Sequence, residues 1–158
     1  MARLQKIIVP TDFSETANRA LAYALRFAET RKARLVVMTV IPDLPITDEE
    51  MLMLRVNLDD VKRVNAEKIN AAKARLEKLV SPAVRKRVKV EFVVRDGKPY
   101  QEIIHAAEEL DADLIVMANR SSHGLKDRLM GSTTDRVVEN APCSVLVVRE
   151  KTASGEKA

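Results

Sequence analysis

Gly131, Ser132 and Thr133 form the short run whose residue types best suit the binding of a phosphate. The run follows a polar loop and directly precedes a segment with helical periodicity. Glycine lets backbone amides approach an anion closely, and hydroxyls add hydrogen-bond donors. A helix N-terminus contributes unpaired N–H groups and the positive end of its dipole. The pattern therefore predicts an anion-binding loop at this point of the chain.

A second polar group, Asp12, directly follows the first apolar run of the sequence. A carboxylate there could hydrogen-bond a hydroxyl or an amine of a ligand. An aspartate after a strand also commonly accepts hydrogen bonds from backbone amides in its own turn. The sequence leaves both roles open.

Five apolar runs alternate with segments of helical periodicity, which is typical of a parallel sheet with helices on both faces. The predicted strands are residues 6–10, 34–40, 88–94, 114–117 and 144–148, and the alternating run 88–94 suits a sheet edge. Ligands of such sheets bind beyond the carboxyl ends of the strands, where the strand order reverses. We therefore expect Asp12 and residues 118–122 to lie side by side.

The helices are predicted from apolar stripes and caps. Ser14 caps the first, Pro99 begins another, and residues 132–140 form the last. Between Pro45 and Pro82, Thr47 and Glu50 resemble a capping box that opens a long helical stretch. We expect a break or a mobile segment near residues 56–60 and a firmer helix from about 61 to 79. The apolar residues 51–54 are predicted to face the core, with a mobile flap over the cleft as the alternative.

Composition excludes several classes of function. The 158 residues suit one domain, and with 3% aromatic residues and no Trp the chain lacks base-stacking platforms. Its charges, which sum to +4, are mixed along the chain, so we expect no nucleic-acid partner. No apolar run has membrane-spanning length. Cys143 is the one cysteine, which fits a reducing cytoplasm and predicts a packed, unreactive thiol.

Catalytic or metal sites are not supported by the histidines. His123 lies beside Ser121 and Ser122, but neither a nucleophile elbow nor a third triad member accompanies them. His105 and His123 also lack the spacing of metal ligands. We expect no catalytic residue and no metal bound directly by the protein.

Three segments together resemble the universal stress protein family. They are I-I-V-P-T-D-F-S-E-T-A at residues 7–17, L-D-A-D-L-I-V-M at 110–117 and A-P-C-S-V-L-V-V-R at 141–149. The resemblance implies a Rossmann-like fold of the adenine nucleotide alpha hydrolase-like type, with a stress-response domain at residues 1–150 and a polar tail at 151–158. It also implies a homodimer formed through the strand at residues 144–148.

The nucleotide-binding members of that family carry G-x-x-G, nine residues, then Gly followed by Ser or Thr. Here Gly131 and Ser132 hold the last pair, whereas Ala118 and Ser121 replace the two earlier glycines. The methyl group of Ala118 is harmless if its φ is negative and if nothing packs against its Cα. A serine at position 121 would cost about 1–2 kcal/mol if the backbone there requires a positive φ.

The resemblance implies an ATP site, with Mg²⁺ or Mn²⁺ held only through the phosphates. Asp12 would lie near the adenosine, and backbone at Pro10, Thr11 and Val40 would line the base. Gly131, Ser132 and Thr133 would face the phosphates. The full candidate set comprises Pro10, Thr11, Asp12, Val40, Met117, Ala118, Arg120, Ser121, Gly131, Ser132, Thr133 and Thr134.

Two functions remain open at this point. The chain is either an adenine-nucleotide-binding stress protein or a dimeric interaction module whose altered glycine motif no longer binds nucleotide. In the first case we expect at most slow ATP hydrolysis, because no activating base is evident.

Overall fold

The computed structural model of the chain describes residues 3–43, 46–119 and 132–149. Strands and helices alternate in these ranges. The elements are β1 (Lys6–Pro10), α1 (Glu15–Arg31), β2 (Arg34–Ile41), α2 (Asp48–Met53), α3 (Leu58–Leu79), α4 (Pro82–Arg85), β3 (Val90–Asp96), α5 (Pro99–Glu109), β4 (Leu114–Ala118), α6 (Ser132–Asn140) and β5 (Ser144–Val148).

The five strands form one parallel sheet in the order β3-β2-β1-β4-β5. The chain adds strands in one direction from β1 to β3, then crosses back to place β4 on the other side of β1. The strand order therefore reverses between β1 and β4, where such sheets bind ligands. This confirms the predicted fold class, and β3 lies at an edge as its alternating pattern indicates.

Helices cover both faces of the sheet. On one face α1 packs mainly over β4 and β1, while α3 packs over β3 and β2 and is anchored by fully buried Leu76; α4 joins the same core through Val84. On the other face α5 and α6 pack through Ile103 and Val137. Both faces of the central strands are thus removed from water, which explains why these strands are almost continuously apolar.

Local caps set the helix boundaries. The Ser14 hydroxyl accepts a hydrogen bond from the Ala17 N–H at 3.2 Å and begins α1, as predicted. The predicted capping box of Thr47 and Glu50 begins α2. Asn57 accepts from the Asp59 N–H at 3.0 Å and begins α3.

Three sequence predictions need correction. The break in the long helical stretch lies at residues 54–57, earlier than predicted, because Asn57 caps α3 and Arg55 has a φ of 51°. The strand predicted at 88–94 runs Val90–Asp96, because it pairs with β2 up to Ile41. The core assignment of residues 51–54 is wrong, since Leu52 and Met53 are 81% and 85% exposed.

Among the described residues, no helix combines the length and apolar character needed to cross a membrane.

Candidate functional site

A cleft opens at the carboxyl ends of β1, β2 and β4, directly above the point where the strand order reverses. Its volume is about 780 Å³, within the range of about 300–1,000 Å³ that is usual for small-molecule sites. Most of the walls are apolar, and a few polar groups converge on them. The lining includes Pro10, Thr11, Asp12, Phe13, Thr39, Val40, Ile41, Lys68, Ala71, Ala72, Arg75, Ile103, Met117, Ala118, Thr133 and Thr134.

Most of the predicted site residues meet in this cleft. Those that line it are Pro10, Thr11, Asp12, Val40, Met117, Ala118, Thr133 and Thr134. Ser132 is described only as the first residue of α6. Arg120, Ser121 and Gly131 lie outside the described residues.

The backbone of Val40 points toward the cleft. In a strand the N–H and C=O of one residue point to the same side, and successive residues alternate. The Arg34 N–H donates to the Gln5 carbonyl and the Met38 carbonyl accepts from the Thr11 N–H, so even-numbered residues of β2 face β1. The β1–β2 pairing ends at Pro10 and Met38. Val40 therefore presents its N–H and C=O beyond the end of β1.

Thr11 is held differently, because its backbone groups already have partners inside the protein. Its N–H donates to the Met38 carbonyl at 2.8 Å, and its carbonyl accepts from the Thr39 hydroxyl at 2.8 Å. Both threonines are buried, so each of these hydrogen bonds takes the place of one that the group would make to water in the unfolded chain. Thr11 and Thr39 thus fix the floor of the cleft between β1 and β2.

Asp12 and Phe13 form a tight turn at the rim. One Asp12 carboxylate oxygen accepts from the Ser14 N–H at 3.0 Å, which is the turn role that the sequence leaves open. Phe13 has a φ of 65°, a conformation that costs a side-chain-bearing residue about 1–2 kcal/mol. The Thr11 hydroxyl accepts from the Phe13 N–H at 3.0 Å and helps to hold this turn.

The other rim is formed by α3, which sequence analysis does not assign to the site. Lys68, Ala71, Ala72 and Arg75 line the cleft together. The Arg75 guanidinium carbon lies 3.8 Å from the centre of the Phe13 ring, which joins the two rims. The spacing i, i+3, i+4, i+7 is the one available sequence signal, since it places these residues on one helical face.

Ala118 closes β4 without strain. Ala118 is a strand residue, and its φ is not positive. Its carbonyl accepts from the Thr134 hydroxyl at 3.3 Å, which ties the start of α6 to the end of β4. The first of the two glycine replacements is therefore compatible with the backbone that it occupies.

Cys143 lies outside the cleft. It is half-buried and packs against the core beneath α5 and α6. Burial, followed by the charge of Asp113, raises the pKa of its thiol. A raised pKa reduces the thiolate fraction, which agrees with the prediction of a packed, unreactive thiol.

Known proteins share this fold over nearly their whole length. The solved structure of MJ0577 from Methanocaldococcus jannaschii matches with a TM-score of 0.72 and 27% identity, covering 96% of this chain and all of that one. A universal stress protein in complex with cAMP and one from Archaeoglobus fulgidus in complex with dAMP each match with a TM-score of 0.59. The cAMP complex is 23% identical to this chain and the dAMP complex 20%. The matched regions span 93% and 92% of this chain, and 98% of each of the two proteins. At those identities the two complexes show the shared fold alone.

Sequence comparison gives the same grouping. Universal stress protein MJ0577 is 29% identical over 155 residues, which span 93% of this chain and 96% of the relative. The profile of the universal stress protein family matches residues 3–149. The chain therefore belongs to the universal stress protein family.

Proposed function

We propose that this chain binds an adenine nucleotide, ATP above all, in the cleft above β1, β2 and β4, and that it acts in the stress response through this binding. The observation that carries the proposal is the backbone of Val40. Its N–H and C=O face the cleft beyond the end of β1, next to apolar walls from Pro10 and Met117. A flat base with one donor beside one acceptor fits such an edge.

Adenine has that pattern on its outer edge. N1 accepts a hydrogen bond and the neighbouring N6 amine donates one, so the Val40 N–H would pair with N1 and the Val40 carbonyl with N6. The apolar surfaces of Pro10 and Met117 suit the faces of the ring. In this pose Asp12 at the rim would lie near the ribose.

The phosphates would lie toward the start of α6. That helix begins at Ser132, and amides at a helix N-terminus together with the hydroxyl of Thr133 favour an anion. Gly131, Ser121 and Arg120 complete the proposed set, and Mg²⁺ or Mn²⁺ would be held only through the phosphates. Two proteins of this fold that bind cAMP and dAMP agree with the proposal, which rests on the cleft itself.

Base selectivity tests the proposal. Guanine reverses the order of donor and acceptor, so with the ribose in place its N1–H would face the Val40 N–H. We expect ATP to bind about tenfold more tightly than GTP in calorimetric titrations with Mg²⁺ present. Equal affinities would show that Val40 does not read the base. Absence of binding at millimolar nucleotide would exclude the proposed site.

We also propose that the protein is a homodimer formed through β5. This strand lies at the sheet edge, opposite β3, and its Val145, Leu146 and Val147 are only half-buried in the single chain. An edge strand presents unpaired N–H and C=O groups, and a second copy could pair with them.

The region proposed to act as one stress-response domain is residues 1–150.

A further inference from the structure

Two basic side chains of α3, Lys68 and Arg75, form what we call the α3 cation pair. Both line the cleft, and they are separated by two helical turns, or about 10 Å along the helix axis. Ala71 and Ala72 lie between them on the same face and also line the cleft. The small alanines leave room beside the helix, so a ligand could contact both cations at once.

No carboxylate of α3 itself lies close enough in the helix to balance the charges of the pair. On the helix, the positions three and four residues before and after Lys68 and Arg75 hold no acidic residue. Within the described ranges no hydrogen bond or ion pair engages Lys68. By contrast, Arg63 of the same helix pairs with Asp60 at 3.2 Å.

Arg75 is oriented as well as charged. Its guanidinium lies over the Phe13 ring, 3.8 Å from the centroid, which fixes the group at the rim. Stacking uses the face of the guanidinium and leaves the N–H donors at its edges available to an anion. Asp12 is the only acidic residue among the described residues that line the cleft. Lys68 and Arg75 therefore give the cleft lining a net positive charge.

We propose that the α3 cation pair binds the phosphate chain of the nucleotide, so that the cleft distinguishes nucleotides by their number of phosphates. This inference rests on the proposed function, because the adenosine is what brings the phosphates to this rim. It adds a phosphate contact on α3 to the one predicted at Gly131, Ser132 and Thr133. The resulting order of affinity is ATP, then ADP, then AMP, then adenosine.

The test compares four ligands and two charge-matched variants. Adenosine, AMP, ADP and ATP are titrated calorimetrically into the wild type, K68Q/R75Q and K73Q/K78Q at one ionic strength. Lys73 and Lys78 are exposed on α3 and do not line the cleft. We expect K68Q/R75Q to weaken ATP binding about tenfold and to leave adenosine unchanged, and K73Q/K78Q to change neither.

Three other results of these titrations would overturn the proposal, each in a distinguishable way. Equal losses in the two double variants would mean that only overall charge matters. Equal wild-type affinity for adenosine and ATP would exclude phosphate binding by the pair while the proposed function stands. No binding of any adenine compound would contradict both the phosphate contact on α3 and the proposed function. K68Q alone guards against misfolding, because no hydrogen bond or ion pair within the described ranges engages Lys68, and a loss of ATP affinity in K68Q supports the pair.

Discussion

Replacing Ala118 with phenylalanine is expected to weaken ATP binding about a hundredfold, whereas Ala118→Gly retains the wild-type affinity or improves it. Ala118 ends β4 at the point where the strand order reverses, and it lines the cleft opposite Val40 of β2. A phenyl ring there would occupy space that the nucleotide needs. Glycine removes only a methyl group from a position whose φ is not positive.

The two substitutions at position 118 control for each other. Both alter the contact with the same core, so their unfolding midpoints are measured by circular dichroism beside the calorimetric affinities. If the phenylalanine variant folds and still binds ATP with wild-type affinity, the nucleotide does not lie at the end of β4. That result would move the site elsewhere even if the chain binds ATP.

Val147→Pro is expected to convert the dimer to a monomer in sedimentation experiments. The Asn119 N–H donates to the Val148 carbonyl, so alternation along β5 turns the Val147 N–H away from β4 and toward the open edge. Proline there removes an outward donor and leaves the β4–β5 ladder intact, which edge strands tolerate. The missing hydrogen-bond donor would therefore weaken the pairing between two copies of the chain.

Val94→Pro is the matched control on the opposite edge. The Gly97 N–H donates to the Ile41 carbonyl, so odd-numbered residues here face β2 and Val94 faces outward. Both variants therefore lose one outward donor on an edge strand. We expect only Val147→Pro to dissociate the dimer. A dimer that persists in Val147→Pro but is lost in Val94→Pro would place the interface on β3.

The sheet could be predicted because each strand is a separate apolar run bounded by polar residues. Burial on both faces leaves such runs with little polar content, and alternation in β3 marks its wetter edge position. The cleft lies where the same reasoning predicts a site, since Asp12 follows the end of β1 and Ala118 ends β4. Their meeting in one cleft is a consequence of strand order.

Other features depend on tertiary contacts that the sequence does not display. Lys68 and Arg75 resemble the other basic residues of α3, and only the placement of that helix over the strand ends distinguishes them. Leu52 and Met53 look like core residues by composition. However, α2 has only six residues, and none of them is buried.

The central claim is that the Val40 backbone reads adenine in this cleft, and the most direct measurement is an NMR titration of the ¹⁵N-labelled protein with Mg²⁺ and ATP. The predicted result is a saturable shift of the Val40 amide signal, while the amide of exposed Thr30 on α1 stays in place. Saturation by ATP without any movement of the Val40 signal, or no saturable shift at millimolar ATP, would contradict the claim.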